Sequence, residues 1–326
     1  MTGSRRPPPR FDEARAVALF SRAFGPGGAR GVVRGIGDDA AVLAGSKGRL
    51  VVTVDASVEG THFRRELVSL ADVGFRAFQA ALSDLAAMGA TPLAALSALT
   101  LPRGFSAREL AALVRGQAEA ARTARCPIVG GNVARAPVLS VTTTVLGRAT
   151  RTLGRDGARP HDECWLVGDV GLAAAGFAWL ERSGRRRPDA ASRRCVRAWR
   201  RPSALVSRGV ALLSRARAAI DVSDGLAGDA TRLADASGCR LVLDEPALRG
   251  ALDRALVVTA ARLGRDALDF ALYGGEDYAL VAAGSGARRP SWARRIGWFE
   301  RGAGGFLETA AGRRVRLGGG FDHLAR

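Results

Sequence analysis

Apolar residues follow two spacings along the chain, one helical and one extended. Helical spacing predicts helices over residues 11–24, 69–88, 106–124, 172–180 and 226–233. Short β-branched or small apolar runs predict strands over 40–43, 50–54, 92–101, 127–129, 139–147, 164–167, 218–222, 240–243 and 279–282. Because the two kinds of segment alternate, we expect an α/β fold of layered helices and mixed sheets.

A charged, glycine-containing stretch at residues 148–160 separates two such alternating halves, and we place a domain boundary there. Residues 1–10 are basic and proline-rich, and we expect a disordered lead. The sequence therefore predicts an N-terminal domain over 11–150 and a C-terminal α/β domain over 151–326.

Composition narrows the function classes. The 326 residues are 47% hydrophobic with a net charge of +18, and Lys47 is the only lysine among 49 basic residues. Basic residues concentrate in 182–201, a segment we expect to be partly helical and solvated. This segment lacks the interleaved aromatic residues that are typical of a nucleic-acid-binding surface.

No apolar run is long enough to span a membrane, and the first residues lack a secretory signal, so we expect a cytoplasmic protein. The four cysteines have no paired spacing, which indicates buried apolar roles rather than disulfides or zinc.

Carboxylates lie near the predicted ends of strands. Asp221 and Asp224 flank Ser223 between a strand and a helix, where Asp224 either caps the helix or binds a cation. Asp55 follows a buried strand and opens a polar loop over 55–63. Of the adjacent pair Asp38 and Asp39, only one can face a shared site, because neighbours on an extended chain point to opposite sides.

Asp84 stands apart from these, since it lies among alanines and leucines of a helix. A buried charge there requires a cation or hydrogen-bond donors. Oxygen ligands of this kind suit Mg²⁺ bridging nucleotide phosphates. The pair Gly130-Gly131 before Asn132 permits close approach of a phosphate or base. The phosphate-binding signatures of P-loop proteins and protein kinases are absent from the sequence, so a kinase would use another phosphate site.

Six motifs, in order along nearly the whole chain, resemble the thiamine-monophosphate kinase family. They are Gly37-Asp38-Asp39-Ala40-Ala41-Val42, Val58-Glu59-Gly60-Thr61-His62-Phe63, Asp84-Leu85-Ala86-Ala87-Met88-Gly89-Ala90, Asp221-Val222-Ser223-Asp224-Gly225-Leu226, Gly274-Gly275-Glu276-Asp277-Tyr278 and Gly320-Phe321-Asp322-His323. The resemblance implies phosphorylation of thiamine monophosphate to thiamine diphosphate by direct phosphoryl transfer, with ATP and Mg²⁺ required. It also implies a two-domain fold like that of aminoimidazole ribonucleotide synthetase, and a homodimer whose N-terminal domains share a barrel-like sheet.

The resemblance also assigns residues position by position. The implied Mg²⁺ ligands are Asp39, Thr53, Val54 (through its carbonyl), Asp55, Asp84, Asn132, Asp221 and Asp224. The implied ATP contacts are Gly131, Asn132, Arg155 and Ser223. The implied contacts to the thiamine part are His62, Glu276 and Phe321. Asn132 stands where many members have aspartate and can still bind metal through its amide oxygen.

Other functions remain open at this stage. A non-catalytic nucleotide-binding paralogue would not need all five of the implied acidic metal ligands, which are Asp39, Asp55, Asp84, Asp221 and Asp224. Selenophosphate synthetase and the hydrogenase-maturation protein, two other ATP-using members of the superfamily, would need a reactive cysteine in the lead and a terminal cysteine respectively, and the sequence has neither. The product formed from ATP and thiamine monophosphate separates these alternatives.

Overall fold

The computed structural model describes residues 32–34, 38–45, 48–183 and 187–319. The predicted lead over 1–10, the predicted helix over 11–24 and the candidate substrate contact Phe321 lie outside these residues.

Six described strands form the first sheet, in the order β1-β2-β3-β6-β4-β5. Neighbours are antiparallel except β4 and β5, so the sheet is mixed, as predicted. The strands are β1 (Val32–Arg34), β2 (Ala41–Gly45), β3 (Gly48–Val58), β4 (Thr91–Leu101), β5 (Ile128–Arg135) and β6 (Ser140–Ala149).

Two helices cover one face of this sheet. Both begin one residue after the predicted starts at 69 and 106. The hydroxyl of Ser69 accepts from the third following amide, and Ser106 does the same in a full capping box. Their apolar stripes pack Phe78, Leu82 and Leu85 against the sheet. The helices are α1 (Leu70–Ala87) and α2 (Ala107–Ala124).

Two strands are longer than the sequence predicted. Asp55 does not open a loop, because β3 pairs continuously with β6 from Arg49 to Val58. The residues Gly130, Gly131 and Asn132 likewise lie inside β5, paired with Leu96, Ser97 and Ala98. In both strands ladder hydrogen bonds to a neighbour outweigh the polar side chains and glycines that suggested loops.

Seven described strands form the second sheet, in the order β13-β12-β9-β11-β7-β10-β8. Its pairs are antiparallel except β12 with β9. The strands are β7 (Glu163–Val167), β8 (Ala218–Val222), β9 (Cys239–Asp244), β10 (Ala279–Gly284), β11 (Arg294–Arg301), β12 (Gly305–Glu308) and β13 (Arg314–Arg316). The adjacent strands β7, β10 and β8, which lie toward one end of the described sheet, are almost wholly buried, which explains their apolar sequences.

Among the described residues of this second half, seven segments are α-helical. They are α3 (Leu172–Ser183), α4 (Ala190–Arg200), α5 (Val206–Leu212), α6 (Leu226–Ala236), α7 (Glu245–Ala251), α8 (Arg254–Leu263) and α9 (Ala267–Tyr273). The arginine-rich segment is partly helical, as predicted, but it is not simply solvated, since α4 buries Cys195, Val196 and Trp199. All four cysteines are buried and free, as predicted.

Helix α1 contacts both halves of the chain. It packs on the first sheet and also against α5 and β8. The approach to α5 is close enough that a side chain at Gly209 would collide with the Ala86 carbonyl oxygen at 1.9 Å. Arg201 reinforces the contact by pairing with Asp72 and Glu119. Residues on α1 are therefore held next to the carboxyl end of β8.

The other face of the first sheet is open and partly apolar. Val54 is 62% exposed and Leu96 is 40% exposed, and pairing through Thr144 places both side chains on this face. This patch is distinct from the helix-covered face because side chains alternate along each strand. Within the described ranges, we find no helix with the length and apolar character needed to traverse a bilayer.

Candidate functional site

Three carboxylates from distant parts of the chain meet beside α1. Oxygens of Asp39, Asp84 and Asp221 all lie within 4.8 Å of one another. Asp39 precedes β2, Asp84 lies in the last turns of α1, and Asp221 is the fourth residue of β8. The contact of α1 with β8 therefore brings together acids from both halves of the chain. We call these three residues the acidic triad.

Threonine and arginine side chains support two members of the triad. The Thr53 hydroxyl donates to Asp84 at 2.5 Å and lies 3.4 Å from the Asp39 carbonyl oxygen. The guanidinium of Arg155 donates to Asp39 at 2.5 Å, and the charge of Asp39 raises the pKa of Arg155 despite its burial. The second carboxylate oxygen of Asp39 is buried and has no hydrogen-bond partner among the described residues.

Asp38 and Asp39 have different roles, as the sequence suggested. Asp38 pairs with Arg34 at 2.5 Å and accepts from the amide of Asp39 at 2.9 Å. It therefore organises the turn, while Asp39 joins the triad. Asp55 lies two residues beyond Thr53 on the same face of β3, near enough for its charge to raise the pKa of Asp84.

The turn after β8 is fixed by an acid that the sequence analysis did not select. Asp229, on α6, accepts from the amides of Ser223 at 3.1 Å and Asp224 at 3.0 Å. Asp224 does not cap α6, because Gly225 occupies the cap position and the Asp224 carboxylate instead pairs with Arg232 at 2.7 Å. Gly225 has φ +115°, and a Cβ there would meet the carbonyl oxygens of Leu272 and Gly274 at 3.0 Å.

Burial dominates the electrostatics of the triad. It raises the pKa of Asp39 to about 7 although the Arg155 charge opposes the shift, and it raises the pKa of Asp221 to about 7 as well. The pKa of Asp84 is also raised by burial, and the charges of Asp221 and Asp39 add to the shift. Two buried acids and the partly buried Asp84, with one arginine among them, lack enough positive charge, which is the condition that a bound cation relieves.

The donor set fits Mg²⁺. All candidate ligands are oxygens, the three carboxylates converge, and an Asp39 oxygen is buried without a partner among the described residues. No cysteine or histidine belongs to the group, which argues against zinc at this position. The Thr53 hydroxyl contacts Asp84 directly, and the charges of Asp55 and Asp224 act on Asp84 and Asp221, so these three residues are the next candidates for oxygen ligands.

Two candidate ligands lie elsewhere. Pairing across the first sheet aligns Val54 with Thr144 and Leu96, and it aligns Asn132 with Ala98. Because residues alternate between faces, the side chains of Val54 and Asn132 share the open face of the sheet, opposite to the face of Thr53. The structure therefore does not bring these two side chains to the acidic triad.

A groove of about 990 Å³ opens between α2 and the edge strand β5. Ser97, Gln117, Arg122, Gly131 and Asn132 are among its lining residues. A row of paired residues crosses the sheet from Asp55 through Thr143 and Ser97 to Gly131. With three strand spacings of about 4.8 Å, the groove lies roughly 14 Å from Asp55. A side chain at Gly131 would meet the Ser97 carbonyl oxygen at 1.8 Å, which explains the glycine.

Of the implied substrate contacts, Glu276 lies next to the turn after β8. The Glu276 amide donates to the Ser223 carbonyl oxygen at 2.8 Å. Its carboxylate pairs with Arg76 and accepts from the Trp199 indole at 2.8 Å. The His62 Nδ1 accepts from the Val58 amide at 3.1 Å.

Sequence reasoning missed Asp229, Arg76 and Trp199. Asp229 had a readable signal, because it lies on the buried stripe of α6 between Leu226 and Leu233, where an acid requires donors. Arg76 and Trp199 had none, since their common partner Glu276 is 200 and 77 residues away along the chain.

Comparisons with known proteins agree with this architecture. The family model described as AIR synthase related protein, N-terminal domain, matches residues 37–149. The chain is 31% identical over 246 residues to the thiamine-monophosphate kinase of Aquifex aeolicus, covering 76% of this chain and 79% of that protein. It is 35% identical over 269 residues to the thiamine-monophosphate kinase of Mycobacterium tuberculosis, covering 82% and 79%.

Comparison with solved structures agrees with these sequence matches. AaThiL, solved in complex with AMPPCP and TMP, superposes with a TM-score of 0.88 at 28% identity, covering 96% of this chain and 97% of that one. The hydrogenase maturation protein HypE shares the fold, with a TM-score of 0.68 at 21% identity. The sequence matches extend over most of both chains, and they carry the name of one kinase. The chain therefore belongs to the thiamine-monophosphate kinase family, with the aminoimidazole ribonucleotide synthetase-like fold.

Proposed function

We propose that this protein transfers the γ-phosphoryl group of ATP to thiamine monophosphate, yielding thiamine diphosphate and ADP in a Mg²⁺-dependent reaction. The observation that carries the proposal is the acidic triad, in which acids from both halves of the chain converge beside α1. Family membership supplies the substrates, since relatives 31% and 35% identical are thiamine-monophosphate kinases. The structural neighbour AaThiL binds AMPPCP and TMP.

The triad and its neighbours would hold Mg²⁺. Asp39, Asp84 and Asp221 provide the converging oxygens, while Thr53, Asp55 and Asp224 are the neighbouring candidates. Bound magnesium neutralises phosphate oxygens and aligns donor with acceptor, which is most of what phosphoryl transfer requires. Asn132 is a weaker candidate for a ligand, because its side chain lies on the open face of the sheet. Val54 would contribute its backbone carbonyl, which the direction of its side chain does not decide.

The groove beside β5 suits the nucleoside of ATP. Gly131 and Asn132 line it, and the row from Gly131 to Asp55 gives the triphosphate a path of roughly 14 Å to the acids. Arg155 and Ser223 would contact the phosphates. Arg155 neutralises Asp39 in the structure, so its guanidinium is already at the place where phosphate charge would accumulate.

The thiamine part would bind on the side of Glu276. The Glu276 amide donates to Ser223, two residues after Asp221 in the turn that follows β8, and its carboxylate suits a cationic, amine-bearing heterocycle. His62 and Phe321 complete the proposed substrate contacts. A phosphate oxygen of the substrate attacks the γ-phosphorus directly, the bond to the β,γ-bridging oxygen breaks, and ADP leaves. No covalent enzyme intermediate forms.

The product assay tests the proposal. Purified protein with ATP, thiamine monophosphate and Mg²⁺ should form thiamine diphosphate and ADP in equal amounts, measured by chromatography. Asp84→Asn should lose nearly all turnover because a charged ligand oxygen is replaced by an amide. Asp269→Asn is the matched control, since Asp269 is an exposed acid outside the triad. Folded wild-type protein that binds ATP but forms no thiamine diphosphate would refute the kinase assignment.

We further propose a homodimer formed through the open face and edge of the first sheet. Val54 and Leu96 give that surface an exposed apolar character, and β5 ends the described sheet with unpaired backbone groups. Leu96→Glu combined with Val54→Glu should convert a dimer to a monomer in light scattering. The control Val257→Glu changes an exposed valine of α8 and should stay dimeric. An unchanged mass for the double variant would contradict this interface.

The domain division over residues 11–150 and 151–326 also stays our proposal. It is supported by the strands of the two described sheets, which end at Ala149 and begin again at Glu163. A cytoplasmic location is the setting that suits an enzyme using ATP and Mg²⁺.

A further inference from the structure

Both carboxylate oxygens of Glu276 are held by donors from other elements. The indole Nε1–H of Trp199, on α4, donates to Oε2 at 2.8 Å. The guanidinium of Arg76, on α1, forms an ion pair with Oε1. The carboxylate is therefore fixed from two directions by residues that precede it by 77 and 200 positions. We call Arg76 and Trp199 the Glu276 clamp.

Stacking makes the clamp rigid. The Arg76 guanidinium lies 4.6 Å from the Trp199 ring centroid, within the range of cation–π attraction. The Phe177 ring centroid lies 5.1 Å from that of Trp199, and Arg64 lies 5.4 Å from the Phe177 ring. Each side chain in this row limits the rotation of the next.

Burial differs sharply between the clamp and its target. Arg76 is 3% exposed and Trp199 is 1% exposed, whereas the Glu276 side chain retains 29% exposure. Burying an arginine is costly unless it is paired, so Glu276 also stabilises Arg76. The Glu276 carboxylate is therefore held by two buried donors and remains accessible to a ligand.

The backbone of Glu276 depends on the same contacts. Its φ is +65°, a conformation that is unfavourable for a residue with a side chain, and its amide donates to the Ser223 carbonyl oxygen at 2.8 Å. The clamp therefore fixes the Glu276 carboxylate relative to the end of β8, which also carries Asp221.

We propose that Arg76 and Trp199 are positioning residues for substrate recognition, acting through Glu276. The inference rests on the proposed function, in which Glu276 contacts the thiamine part of the substrate. Without the indole hydrogen bond, the carboxylate gains rotational freedom, and binding must then restrict that freedom. Recognition of thiamine monophosphate weakens, while ATP, bound on the other side of the acids, is unaffected.

Trp199→Phe is the most selective test, because it keeps an aromatic ring and removes the indole donor. Loss of one hydrogen bond to a charged acceptor predicts a KM for thiamine monophosphate raised about tenfold, with the KM for ATP and kcat within about twofold of wild type. Trp179→Phe is the matched control, since Trp179 is also a buried tryptophan of the same apolar cluster and should leave all three constants unchanged. Melting temperatures of both variants establish that they fold.

A double-mutant cycle with Glu276→Ala separates positioning from packing. If Trp199 acts through Glu276, Trp199→Phe adds no further rise in KM when Glu276 is already alanine. If Trp199→Phe fails to fold, Arg76→Lys enters the same cycle, because lysine keeps the charge but cannot stack in the same way on the indole. Additive effects, or equal changes in both KM values, would overturn the inference.

Assays of the wild-type protein distinguish failure of this inference from failure of the proposed function. An active wild type with unchanged KM for thiamine monophosphate in Trp199→Phe overturns the clamp alone. A folded wild type that forms no thiamine diphosphate overturns the proposed function, and the clamp with it.

Discussion

Replacing Asp221 by asparagine should stabilise the metal-free protein while abolishing its response to magnesium. Burial raises the pKa of Asp221 from 3.8 to about 7. The folded pKa lies above the unfolded one, so for this group the free energy of unfolding falls as pH rises between about 4 and 7. Above about pH 7 the ionised, metal-free residue therefore destabilises the fold.

The size of the effect follows from the shift. Roughly three pKa units correspond to a penalty on the order of 4 kcal/mol for the ionised form. The buried amide of asparagine also needs hydrogen-bond partners, which offsets about 1–3 kcal/mol of the gain. We expect a net stabilisation on the order of 2 kcal/mol near pH 8, visible as a melting temperature several degrees higher.

Calorimetry with and without magnesium is the decisive assay. In EDTA near pH 8, Asp221→Asn should melt above wild type. Magnesium at about one hundred times its Kd should stabilise wild type by about 2.7 kcal/mol and the variant hardly at all. The exposed control Asp269→Asn should follow wild type in both conditions. A variant that melts lower in EDTA and gains as much from magnesium as wild type would refute the reasoning.

Three further changes test other parts of the site. Gly131→Ala places a Cβ 1.8 Å from the Ser97 carbonyl oxygen, so it should displace β5 and weaken ATP binding in calorimetric titrations; unchanged affinity would contradict the groove assignment. Asp229→Ala leaves the Ser223 and Asp224 amides without their acceptor, so urea denaturation should show a loss of about 2–5 kcal/mol, and a loss below about 1 kcal/mol would argue against that role. Burial raises the pKa of Asp277 to about 7 despite two amide donors, so ionisation destabilises the fold as pH rises from about 4 to 7. Asp277→Asn should therefore gain stability relative to wild type between about pH 5 and 8, and a pH-independent difference would contradict this.

Local patterns in the sequence predicted most elements because each signal is read within a few residues. The apolar spacing from Ser69 and from Ser106 predicted two helices, and the β-branched run of β6 predicted a strand. The extents of β3 and β5 were not predictable in this way. Asp55 and Gly131 look like loop residues in isolation, and only their partners on neighbouring strands keep them in the sheet.

The site divides along the same line. Resemblance to a family selected the acids, and the structure brings Asp39, Asp84 and Asp221 together, but their convergence depends on how α1 packs between two sheets. Supporting residues such as Trp199 could not be identified from the sequence. No neighbour of a tryptophan in an arginine-rich helix indicates that it bonds to a distant carboxylate.

The central claim is that the acidic triad binds the metal that serves phosphoryl transfer. Anomalous diffraction from a crystal grown with Mn²⁺, AMPPCP and thiamine monophosphate tests it most directly. The account predicts a metal peak within coordinating distance of oxygens from Asp39, Asp84 and Asp221, next to the γ-phosphate. Bound nucleotide with its metal away from these three carboxylates would contradict it.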